Sequence, residues 1–289
     1  MRSAVLNVDP EKVGNYFTGE FRQPRATHIF FRGLVLYTFV KILFVWQISA
    51  EMVQNHSLPS PGSLAGKIML LPTMLAGANV HAFYFAAIAL LVLAFLLKPY
   101  YVIRLLFFYL TFNLYVINLP LANGSDIVLF MLSLWSILMG RHPSITIRGK
   151  TDLQKLIFNL GLFLCQLQIV NVYLVSGLDK LFSETWRSGE AFAYISHLDF
   201  YYNPVLSQMF ENNSWDFILS WCTILFELLF VALIWTKPAR LPMLAIGVLF
   251  NLFILVVLSI PDFALLMITS FLIFLKDEDY QKLRKRVRL

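Results

Sequence analysis

Tyr173, Ser176, Gly177 and Lys180 follow one another at helical spacing in the run Gln166-Leu-Gln168-Ile-Val-Asn171-Val-Tyr173-Leu-Val-Ser176-Gly177-Leu-Asp179-Lys180. At about 100° per residue, Gln166, Tyr173, Ser176 or Gly177, and Lys180 share one helix face. A lysine ending such an otherwise apolar stretch admits two chemistries. As an interfacial side chain it snorkels, with its ammonium in water or paired with Asp179 or Glu184. Desolvated in a pocket, it becomes a base able to take a proton from a lipid-soluble acid. Ser176-Gly177 just before it would let a second helix or a ligand come close to the backbone. A second ionisable group, Glu227, stands alone in Ile-Leu-Phe-Glu227-Leu-Leu-Phe and must be either protonated or paired, with Arg32 and Lys41 as candidate partners. Between the two, the segment from Leu181 to Tyr194 carries Glu184, Trp186, Arg187, Gly189 and Glu190. It is too polar to cross a bilayer and aromatic enough to lie along its surface.

The elements that position these residues follow from composition. Of 289 residues, 58% are hydrophobic and 14% charged, and the mean hydropathy is +0.70. Soluble chains carry about 25% charged residues and about 45–50% apolar ones, so an ordinary soluble domain is excluded and lipid must cover the apolar excess. Apolar stretches bounded by Pro, Gly, Asn and charge predict helices at 28–50, 80–97, 101–119, 125–140, 153–179, 214–235, 240–259 and 262–275. The expected fold is all-α: a polytopic membrane helical bundle of about eight transmembrane helices over 28–275, with a polar segment 1–27 before it and a basic tail 276–289 after it. Residues 1–27 hold no cleavable apolar core, so the first helix is expected to be retained.

The net charge of +6 is distributed as a membrane topology requires and not as a nucleic-acid stripe. Arg2, Lys12, Arg22 and Arg25 precede the first helix. Lys98 and Arg104, then Arg141, Arg148, Lys150 and Lys155, then Lys237 and Arg240 fall at alternate connections. Lys276, Lys282, Arg284, Lys285, Arg286 and Arg288 follow the last helix. Eighteen of the 23 basic residues thus lie on one side, against Lys67, Lys180 and Arg187 on the other. The positive-inside rule then makes both termini cytoplasmic. A bacterial inner membrane or a eukaryotic endomembrane is the expected location. The longer outer connections, 51–79 and 180–213, are where function is expected, and sequons at Asn55, Asn123 and Asn212 share that side. Cys165 and Cys222 lie in apolar runs without CxxC spacing, which predicts buried packing and no metal or redox motif.

The run from Tyr173 through Ser176-Gly177 and Lys180 to Trp186 and Gly189 resembles the vitamin K-dependent gamma-carboxylase family and its wider horizontally transferred transmembrane (HTTM) superfamily. Weaker similarity extends to Phe31-Arg32-Gly33, Asn123-Gly124-Ser125, His142 through Gly149, Glu227, and Ser259-Ile260 with Phe263. The resemblance implies a multi-pass helical body and a lysine base, matching Lys180, that deprotonates a quinol cofactor on the outer face. It further implies Tyr173, Ser176, Gly177, Trp186, Gly189 and Glu227 as ligand-binding residues. Two departures bear on the chemistry: Gly124 and Asn251 stand where the carboxylases have histidines, and none of these residues corresponds to the large lumenal domain that holds the peptide substrate. Glutamate carboxylation is therefore not expected.

Two functions of different class follow. One is a quinol- or lipid-linked enzyme that binds a lipid-soluble ligand near the outer face, with Lys180 as base. The other is a non-enzymatic membrane scaffold or assembly partner that holds another protein through 51–79 and 180–213.

Overall fold

The structure, a computed structural model, describes residues 10–55, 62–140, 151–198 and 213–281. In chain order the helices are α1 (Pro10–Thr18), α2 (Pro24–Asn55), α3 (Leu64–Met69), α4 (Leu71–Ala78), α5 (Val80–Leu96), α6 (Tyr101–Ile117), α7 (Gly124–Ile137), α8 (Thr151–Phe182), α9 (Glu184–Ser188), α10 (Ala191–Ser196), α11 (Asn213–Leu233), α12 (Lys237–Val257) and α13 (Pro261–Ser270), with 3₁₀ turns at Leu119–Leu121 and Phe271–Phe274. No strand occurs among the described residues, so the all-α expectation holds. Each of the eight apolar runs holds one of these helices. Four stretches are long and apolar enough to cross a membrane: Pro24–Val53, Asp152–Phe182, Trp215–Leu233 and Lys237–Val257. Val80–Leu96, Tyr101–Ile117, Gly124–Ile137 and Pro261–Phe274 are apolar but shorter. At 1.5 Å per residue, a helix of 17 residues reaches about 26 Å against a hydrocarbon core of about 30 Å.

Local chemistry sets the helix limits. Pro72, Pro238 and Pro261 sit in the first turns of α4, α12 and α13, where a missing N–H costs nothing. Asn79 caps α5 by accepting from Ala82 N at 3.0 Å. On the outward faces Phe44, Phe85, Leu96, Leu249 and Val256 are exposed, Phe44 to 77%, which is the signature of a surface meant for lipid.

Two expectations are corrected here. Residues 62–79, expected as part of a long ordered loop, hold α3 and α4. Ser63 caps α3 by accepting from Gly66 N at 3.1 Å, and Thr73 is buried, its N and Oγ1 both donating to Asn113 Oδ1 at 3.1 and 2.7 Å. Such helices are too short to show a hydropathy period, so they read as loop. The second correction is Cys222, which is exposed whereas Cys165 is buried. In a membrane helix the outward face is as apolar as the inward one, and hydrophobicity alone does not separate them.

The chain forms two compact units. The first comprises Met1–Ala122, Leu129–Cys165 and Lys276–Leu289; the second comprises Asn123–Val128 and Gln166–Leu275. Within the first, α2 packs on α5, and α4 packs on α5 and α6. Asn159 ties down the N-terminal segment by accepting from Arg22 N at 2.9 Å and donating to Phe17 O and Glu20 O at 2.8 and 2.7 Å. Asp277 accepts from the N–H groups of Arg25 and Ala26 at 3.4 and 3.0 Å, capping the first turn of α2. Within the second, α11 packs on α9, α10 and α12, and α12 packs on α13. Ser125 Oγ and Asn123 Nδ2 donate to Asp262 Oδ2 at 2.6 and 3.2 Å. Residues 56–61 and 199–212, the side chain of Asn55, the sequon residue Asn212, the stretch His142 to Gly149 and the basic cluster Lys282 to Arg288 lie outside the described residues.

Candidate functional site

The polar stripe of α8 turns inward. Gln166, Tyr173 and Gly177 are buried and Lys180 is half-buried, while Asn171 and Asp179 are exposed. At the lower end Gln166 Nε2 donates to Ile273 O at 3.1 Å, satisfying a carbonyl in the 3₁₀ turn. Higher up, Gly177 lets α11 approach: a Cβ at this position would meet Leu228 Cδ2 at 3.0 Å and Glu227 Cβ at 3.1 Å. That approach sets the ion pair. Lys180 Nζ lies 2.9 and 3.0 Å from the two carboxylate oxygens of Glu227 and also donates to Ser176 Oγ. Ser176 Oγ in turn donates to Glu227 Oε1 at 3.1 Å. The side chains are 17% and 5% exposed, so the pair is largely withdrawn from solvent and its attraction is correspondingly strong.

Glu227 therefore pairs with Lys180, and the expected partners Arg32 and Lys41 are corrected. The interfacial pairing of Lys180 with Asp179 or Glu184 gives way to the same finding. Arg32 instead places its guanidinium 5.6 Å from the Phe95 ring. Trp186 adds a second contact, its ring centroid lying 5.1 Å from Lys180 Nζ, within the range of cation–π attraction.

Beside the pair is a cavity of about 170 Å³, lined by Tyr173, Ser176, Lys180, Trp186 and Glu227 together with Phe192, Thr223, Phe250, Phe253 and Phe263. Ser176, Lys180, Thr223 and Glu227 bring polar groups to it, and most of the remaining lining is aromatic or aliphatic. Tyr173 stacks on Phe271 and packs against Phe226 edge-on and Phe230 at a tilt, and its hydroxyl accepts from Asn251 Nδ2 at 3.0 Å. Asn251 Oδ1, in the same buried side chain, has no hydrogen-bond partner among the described residues. Such an orphaned acceptor is uncommon in an apolar interior.

Five of the seven residues singled out from sequence line this cavity. Gly177 and Gly189 do not. Gly177 serves the helix approach, and Gly189 ends α9 with φ +79°, where an added Cβ would stand 2.5 Å from Phe217 Cα. The segment after Lys180 is not continuous; it breaks into α9 and α10. Asp216, which sequence reasoning passed over, fixes that break. It is buried, accepts from Phe192 N at 3.0 Å and Ala193 N at 2.8 Å, and takes a further bond from Ser220 Oγ at 3.1 Å. Its only signal in the chain is an acid in the first turn of an apolar helix. Thr223 and the phenylalanines of α12 carried no signal, since threonine and phenylalanine are ordinary in membrane helices.

No group of three or more His, Cys, Asp or Glu among the described residues could hold a metal ion. No family model, curated protein or solved structure matches the chain.

Proposed function

We propose that the chain is an integral membrane protein with eight membrane-crossing helices and both termini in the cytoplasm, and that its second unit binds a lipid-soluble ligand bearing a weakly acidic hydroxyl, as a quinol does. The observation that carries this reading is the Lys180–Glu227 pair at the wall of an otherwise aromatic cavity. Cavities of about 150 Å³ admit benzene, so this one suits a single ring, with any aliphatic tail leaving towards lipid. Aromatic walls favour a flat ring, and the orphaned Asn251 Oδ1 lies beside Tyr173, which lines that space.

The ion pair alters the expectation of a solitary lysine base. With Lys180 charged, the proton acceptor is the Glu227 carboxylate. The ligand O–H bond breaks, a new O–H bond forms on Glu227, and the oxyanion stays beside the Lys180 ammonium, which is already held by Ser176 and Trp186. No electron moves in this step. The reading keeps the resemblance to the gamma-carboxylase and HTTM families at the level of a quinol-deprotonating site, and leaves glutamate carboxylation aside.

A second reading draws on one specific observation: Lys180 and Glu227 satisfy each other, as a structural pair does. The protein would then be a scaffold that offers its outer segments, 51–79 and 180–213, to another protein. Native mass spectrometry of the purified protein, with extraction of bound quinones and lipids, separates the two. A stoichiometric quinone that is lost on Glu227→Gln supports the ligand site. A co-purifying protein with no small molecule supports the scaffold and overturns the ligand site.

A further inference from the structure

The first unit contains a second cavity, of about 260 Å³: Arg25, Lys98 and Arg104 line it together with His28, and among the described residues no Asp or Glu does. Three cationic side chains, Arg25, Lys98 and Arg104, around one small space repel one another unless an anion sits among them. Arg104 makes the requirement sharper. It is 1% exposed, yet its hydrogen-bond partners are neutral. Nε donates to Pro99 O and Nη1 to Ser136 O, each at 3.2 Å, and its guanidinium lies 4.5 Å from the Phe31 ring. Among the described residues no carboxylate pairs with it, and a buried charge without a counter-ion is expensive. Asp277 is engaged by the N–H groups of Arg25 and Ala26 and does not line the cavity.

The remaining lining tells which anion fits. Met139 and Phe158 are buried and close the inner wall, while Arg25 and Lys98 are exposed at the rim. The cavity therefore offers the Arg104 guanidinium at depth, exposed cations at its mouth and an apolar wall alongside. That suits a phosphodiester flanked by glycerol and the start of acyl chains. It lies at the ends of α2 and α6 rich in basic residues, the ends that the charge distribution assigns to the cytoplasmic surface, where basic pockets between helices bind anionic head groups. Its volume is below that of sites for drug-sized ligands, about 300 Å³ upwards, and so admits a head group and not a whole lipid. We propose that this cavity binds the phosphodiester head group of an anionic phospholipid through Arg25, His28, Lys98 and Arg104. It shares no residue with the cavity of the second unit.

The test reconstitutes the full chain in nanodiscs of equal phosphatidylglycerol and phosphatidylcholine and reads retained lipid by native mass spectrometry. Phosphatidylglycerol is expected to be retained about ten-fold over phosphatidylcholine. The double variant Arg25→Gln, Lys98→Gln changes only exposed rim residues, and it is expected to bring that ratio close to one with gel-filtration elution unchanged. Equal retention of the two lipids by the wild type, which needs no variant, overturns the proposal, as does a selectivity that the double variant keeps. A parallel arm adds sn-glycerol 3-phosphate to delipidated protein. A rise in melting temperature in the wild type but not in the double variant, without lipid selectivity, would assign the site to a soluble phosphate ester and overturn the lipid assignment.

Discussion

Replacing Lys180 by methionine leaves the Glu227 carboxylate facing an apolar cavity, and replacing Glu227 by leucine leaves the ammonium there instead. Each single change is expected to cost about 3–5 kcal/mol, because the surviving charge is uncompensated. The double variant Lys180→Met, Glu227→Leu removes both charges and is expected to recover most of that loss. Thermal unfolding in detergent checks the cycle, and simple additivity of the two losses would mean that the pair is not coupled. Lys180→Arg adds a separate reading: arginine keeps the charge but cannot reproduce the compact contact with Ser176 Oγ and both carboxylate oxygens. Ligand retention is therefore expected to fall even if stability is kept. The cysteines supply a further residue-level prediction. In detergent, N-ethylmaleimide is expected to modify exposed Cys222 at least about ten-fold faster than buried Cys165, as followed by peptide mass spectrometry; equal rates would contradict the placement of Cys222. The Lys180 face was legible from spacing along α8, since period 3.6 gives the side of a helix. Its partner was not legible, because 47 residues separate Lys180 from Glu227 and nothing in either run fixes how the two helices are rotated about their own axes.

At the scale of elements, the break between α9 and α10 depends on two residues. Gly189→Ala combines a left-handed backbone with a clash against Phe217, and is expected to destabilise by more than about 1 kcal/mol. Asp216→Ala leaves the N–H groups of Phe192 and Ala193 without their acceptor and is expected to cost about 1–3 kcal/mol. Both changes are expected to raise amide hydrogen exchange in α10 while α12 stays protected; unchanged exchange in α10 would remove Asp216 from this role. The eight apolar runs were legible because Pro, Gly and charge punctuate them. α3 and α4 escaped that reading, since helices of six and eight residues are held by Ser63, Pro72 and a bond to Asn113 and not by a periodic apolar face.

For the whole molecule, the division of basic residues predicts that a reporter fused after Leu289 is active only in a cytoplasmic assay. Activity of that fusion on the opposite side would reject the eight-span topology while leaving the two compact units as described. The Asp277 cap has a consequence in time. The donors it receives, on Arg25 and Ala26, are made 252 and 251 residues before it. At about 5–20 residues per second of synthesis, about 10–50 s pass between the first turn of α2 leaving the ribosome's catalytic centre and the arrival of its acceptor. During that interval water or lipid head groups must serve those N–H groups, so α2, made early, is late to have its end closed. A nascent chain halted before residue 277 would carry every apolar helix and still lack that closure.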